Sequence, residues 1–175
     1  MRDRQQLLTT LADQRTELRR RYTAFPDEVV AQPCTTSEAE GDGRWTPKDH
    51  LAHLLRVEEA FLGMARRTAG GETAPIRIGA KAGASHEEIL ARVHKDNEEH
   101  VAALRDRSVP DLLDALDAAR AETLAFIETI DDDQLDLTIV GAPWGDGTIG
   151  GVLMANAGHE GQHLGWVDEG LAAST

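Results

Sequence analysis

Two histidines four residues apart, His159 and His163 in NAGHEGQHLGWV, are the side chains of this sequence best placed to do chemistry together. On a helix they stand about one turn apart on one face, where two imidazoles can share a single metal ion. Val152, Asn156, His159, His163 and Trp166 follow a 4-3-4-3 spacing, which predicts an inward-facing stripe. Buried imidazole is polar and costs free energy unless it finds partners. A metal is one way to supply them, and it calls for a third ligand. His50 and His53, in WTPKDHLAHLLRVEEAF, point about 60° apart on a helix and share a side with Leu54, Val57, Phe61 and Met64. Either could give the third nitrogen, and spacing alone does not choose between them. The competing explanation for any one of these residues is a hydrogen-bonded core histidine. His86, His94 and His100 sit among charged residues and read as solvated surface; the last two lie about 240° apart around a helix.

HEGQH also matches HExxH, with Glu160 where a metallohydrolase carries its general base. The match is isolated. LGWVDEGLAAST carries neither the HExxHxxGxxH continuation nor a third ligand well downstream, and Glu160 lies about 100° off the direction of His159. Glu160 is therefore expected outside any metal's coordination shell. Asn156, one turn before His159, and Glu58, on the same helix as His53, are candidates to accept a ligand's second N–H or to touch a substrate. For Glu58 the alternative is a solvated helix face beside Glu59.

The elements that must position these residues are legible from caps and breakers. A first helix is expected from about Arg4 to Tyr22, with Leu7, Leu8, Leu11, Leu18 and Tyr22 inward. A second begins after Thr46 as N-cap, with Pro47 in the first turn, and stops at Gly70-Gly71. Ser85 with Glu88 three residues on is a capping box opening a third. Ser108-Val-Pro-Asp opens a fourth, ending near Ile130, after an abrupt bend or as an antiparallel neighbour of the third. Leu135 to Val140 alternates weakly, as a short extended piece would. Thr148 caps the last helix, which reaches about Leu171. The expected architecture is one all-α domain over 1–175, an up-and-down four-helix bundle with an additional short helix or loop elaboration.

Composition agrees with close-packed helices: 41% of residues are hydrophobic but only 4% aromatic. A formal charge of −13 argues against nucleic acid as a partner, because phosphates would be repelled. One cysteine, Cys34, leaves no intrachain disulfide and lies in an acidic setting that does not activate a thiol. With no long apolar run, neither a signal peptide nor a membrane span is expected, and cytoplasmic location follows.

Trp45-Thr46-Pro47, then Ala52-His53-Leu54 with Glu58 beyond, then His159-x-x-x-His163-Leu164, resemble in order and spacing the DinB-like superfamily of metal-binding four-helix bundles. The resemblance spans nearly the whole chain. It implies that the metal ligands are His53, His159 and His163, thus His53 rather than His50, and that the ion is Zn²⁺ or Ni²⁺ with open positions, as catalytic sites keep. It further implies a thiol transferase or isomerase that uses a low-molecular-weight thiol such as mycothiol or bacillithiol on a small-molecule substrate, in a homodimer. The alternative is a non-catalytic, stress-associated bundle that binds metal or a small molecule. Arg44, Lys48 and Arg56 are near enough in sequence to meet an anionic thiol. The acidic stretch from Thr35 to Gly43 and the glycine-rich turn before the last helix are departures that would reshape access.

Overall fold

A computed structural model describes residues 3–36, 44–76 and 85–173, apart from the side chains of His86 and Leu90. Most of the acidic stretch, 37–43, and the later part of the loop after the second helix, 77–84, lie outside the described residues. So does the expectation for the side chain of His86.

Helices form where the caps predict. They are α1 (Arg4–Ala24), a four-residue α2 (Asp27–Val30), α3 (Pro47–Ala69), α4 (His86–Leu104), α5 (Val109–Thr129) and α6 (Ile149–Ala172). Thr46 receives the backbone N–H of Asp49, whose side chain returns the bond to the N–H of Thr46, and Ser85 and Glu88 repeat the exchange. Ser108 and Thr148 accept from Asp111 and Gly151. Each such cap stabilises its helix by roughly 1 kcal/mol. Two short antiparallel strands, β1 (Thr35–Thr36) and β2 (Arg44–Trp45), lead into α3.

The bundle is made by α1, α3, α5 and α6. α3 packs on α5 and α6, and α1 packs on the same two helices. α4 lies outside this core, against α3, and makes little contact with α5, so the break at Ser108 is a bend and not the turn of an antiparallel pair. Leu135 is not in an extended piece: residues Asp132–Asp136 form a 3-10 helix opened by Asp131, and Leu135 is its buried anchor. Extended backbone begins only after it, where Thr138 bridges Thr148.

The core has two apolar halves. One gathers Leu7, Leu11, Phe61, Ile127 and Val152; the other gathers Leu18, Tyr22, Leu51, Leu54, Leu112, Leu116 and Leu164. Between them every bundle helix places buried polar side chains at the same level: Arg15 on α1, Glu58 on α3, Arg120 and Thr123 on α5, Asn156 and Glu160 on α6. Arg120 donates to Glu58 (2.7 Å) and Glu160 (2.9 Å), and Arg15 pairs with Glu160 as well. Thr123 and Asn156 each donate to Glu58 at 2.5 Å. Two guanidiniums thus face two carboxylates, a balanced layer across the bundle. At the far end of α6, Gly170 lets the chain at Cys34 lie directly on the helix, since a Cβ there would overlap the Cys34 carbonyl.

Candidate metal centre

Beside that polar layer, α3 and α6 bring three imidazoles together. Ligand atoms of His53, His159 and His163 all lie within 4.8 Å of one another. The Nε2 atoms of His159 and His163 are 2.9 Å apart, and the His53 and His163 rings stack with centroids 4.8 Å apart. His50, which spacing could not separate from His53, is held behind the group: its Nδ1 meets His163 Nδ1 at 2.7 Å, and its Nε2 meets Thr35 Oγ1 at 2.8 Å. Trp45, the residue before the cap of α3, packs its indole on both His50 and His53, with centroids at 5.3 and 5.1 Å. The Trp-Thr-Pro start of α3 therefore fixes the helix and walls the site at once.

Burial sets the electrostatics. It pushes His50 and His159 down to about 4 and His53 to about 3. His163 is driven lower still, by burial first and then by the neighbouring imidazoles. All four are neutral at pH 7, the state in which imidazole ligates metal. The Nδ1 atoms of His53 and His159 are buried with no hydrogen-bond partner among the described residues. Three neutral, converging nitrogens with unmet polar capacity fit a divalent ion. Held by three imidazoles alone, such an ion would keep positions open.

The expected helical stripe is rotated. Asn156 and His163 are buried, but Trp166 is 42% exposed, and Glu160 and Val167 take the innermost positions. His159 is consequently only half-buried and lines a cavity of about 760 Å³. His53 also lines it, with Arg56, Phe61, Met64 and Trp144. Of the three cations considered near the site, Arg56 reaches this cavity, where its Nε donates to Asn97. Arg44 donates to the Cys34 carbonyl instead, and Lys48 to the Arg105 carbonyl.

Glu58 is not on a solvated face. It is buried with Asn156 in the polar layer, and the bonds it makes are to Arg120, Thr123, Asn156 and Arg15 rather than to a histidine. Glu160 turns into the same layer. A carboxylate gripped by Arg15 and Arg120 is not free to serve as the base that HExxH suggests. His94 and His100 are half-buried rather than fully solvated, and burial lowers His100. The positions missed from sequence are Arg15 and Arg120, which interrupt apolar helix faces at the level of Glu58. That coincidence across helices was the available signal.

The family model described as the DinB superfamily matches residues 36–167. No curated protein matches the chain. Among solved structures, the colibactin self-resistance protein ClbS in complex with a dsDNA superposes with a TM-score of 0.69 at 17% identity, covering 96% of this chain and 94% of that one. A protein from Escherichia coli UTI89 gives 0.68 at 16% identity, over 98% and 94%. The first of these overturns the exclusion of nucleic acid, because a protein of this fold is seen holding duplex DNA. The error was physical: net charge sums the whole surface, whereas a phosphate-binding face is local.

Proposed function

Because the chain belongs to the DinB superfamily, we propose that His53, His159 and His163 hold one divalent ion, Zn²⁺ or Ni²⁺, and that the protein is a metal-dependent enzyme of the thiol-transferase or isomerase type. The supporting observation is the convergence of the three imidazoles, two of which, His53 and His159, line the cavity of about 760 Å³. A bound ion there would lower the pKa of a coordinated thiol or water and present it as a nucleophile. The chain's own residues do the rest. Phe61 and Trp144, with ring centroids 4.7 Å apart, and Met64 offer an apolar wall to a small substrate. Arg56 offers a cation to an anionic group of the substrate or of a low-molecular-weight thiol. Trp45 covers one side of His50 and His53. No side chain on the cavity wall is assigned as general base, so the ligands act as ligands only. The competing reading is a non-catalytic metal-binding bundle.

Elemental analysis of purified protein tests the ion. One metal per chain is expected, with loss in His53→Ala and in His159→Ala; near-stoichiometric metal in both variants rejects the site. Thermal-shift titration of metal-loaded protein with mycothiol, bacillithiol and glutathione tests the reaction class. A thiol that binds raises Tm by mass action, and the rise should vanish in His163→Ala. If no thiol shifts Tm and no thiol–electrophile pair turns over, the transferase reading falls and the binding-protein reading replaces it.

A further inference from the structure

His50 is buried to 1% exposure, yet it is not one of the three converging imidazoles. Both its nitrogens are engaged, Nδ1 by His163 and Nε2 by Thr35. Its ring is wedged edge-on against Trp45 and against His163, with centroids at 5.3 and 4.9 Å, so its orientation is fixed from two sides. His163 alone of the three has its second nitrogen on a protein partner; the Nδ1 atoms of His53 and His159 have none among the described residues.

An N–H···N contact between two neutral imidazoles carries one proton, and where it sits decides what His163 can do. With the proton on His50, His163 Nε2 would carry the other hydrogen and could not ligate. With the proton on His163 Nδ1, His163 Nε2 is a bare lone pair directed at His159. Ligation requires the second arrangement. It leaves His50 Nδ1 as acceptor and His50 Nε2–H as donor to the Thr35 hydroxyl, so both nitrogens of His50 and the Nδ1 of His163 are satisfied.

We propose that His50, backed by Thr35, is a positioning residue for the metal centre: it accepts the Nδ1–H of His163, locks that ring's tautomer and aims its Nε2 at the ion. This rests on the metal reading above. It gives Thr35 on β1 a role at the centre, through its contact with His50.

Two measurements on the full chain decide it. In zinc-loaded, ¹⁵N-labelled protein, a two-bond nitrogen–nitrogen coupling between His163 Nδ1 and His50 Nδ1 is expected across the hydrogen bond; its absence overturns the proposal without any variant. Zinc affinity is then measured by chelator competition. His50→Leu should bind zinc about 10–100-fold more weakly, the usual cost of losing a ligand's hydrogen-bond partner. His50→Asn, whose Oδ1 can stand where Nδ1 stood, should recover most of that loss, and Thr35→Val should weaken binding in the same direction by less. A merely structural role would not distinguish Asn from Leu in this order. Unchanged affinity in His50→Leu overturns the positioning role while leaving the ion site intact. No zinc bound by the unaltered protein overturns both.

Discussion

Protonation of His163 is opposed from every side, by burial and by His159, His53 and His50 around it. The four histidines therefore make the metal-free protein sensitive to acid in a window set by their own shifts. Unfolded, each titrates near 6.5; folded, His50 and His159 stay neutral to about 4 and His53 to about 3. Between those limits the unfolded chain binds more protons, so stability is fully present above about 6.5 and is lost as pH falls toward 4. Calorimetry of metal-free protein should show Tm level from pH 8 to 7 and falling steadily between 6.5 and 5, before carboxylates titrate. His53→Leu should shallow that slope. A Tm that holds constant down to pH 5 would contradict the burial of these rings. Cys34 belongs at this scale too. It is buried, its thiol is pushed up by burial, and its Sγ meets the Trp45 carbonyl, in keeping with a cysteine that packs rather than reacts.

Each bundle helix alternates an apolar half, a charged step and a second apolar half, and the steps coincide. Pairing only in register, Arg15, Glu58, Arg120 and Glu160 fix how far α1, α3, α5 and α6 can slide along one another. Glu160 shows the tension in this arrangement: burial pushes its carboxyl up, while Arg120 and Arg15 pull it back. Removing one cation leaves a buried carboxylate under-compensated, so Arg120→Ala should destabilise by about 3–5 kcal/mol in urea unfolding. A loss under 1 kcal/mol would mean that water relaxes into the layer. The helices themselves were legible in sequence, because Thr46, Ser85, Ser108 and Thr148 are caps and caps act locally. The rotation of α6 was not. Treating charge as outward put His159 and Trp166 inside, whereas Glu160 is drawn in by arginines on two other helices, which no single-helix pattern can show. The same blindness put Glu58 and solvent together as an alternative. His50 and His53 are distinguished by Thr35 and His163, contacts that cross between elements and leave no mark in local spacing.

Across the molecule, the described residues leave few large apolar side chains in water: Leu137, Val140 and Trp166. No helix among the described residues is long and apolar enough to cross a membrane. Pairing of two copies, implied by the family resemblance, remains our proposal, and it is opposed by an acidic surface whose repulsion salt should screen. Sedimentation at high micromolar concentration in 0.15 M salt is expected to give a species of about twice 19.0 kDa; a single 19.0 kDa boundary would refute it. The packing of α6 against both α1 and α3 has a consequence in time as well as space. His53 is synthesised early, while His159 and His163 arrive on the last helix, so closing the α3–α6 contact spans more than half the sequence. Until α6 is made, the growing chain holds one imidazole of the three, and capture of the proposed ion would have to wait until α6 has left the ribosome and docked. Metal uptake at the proposed site would then follow the docking of α6 on α3, after most of these residues have been made.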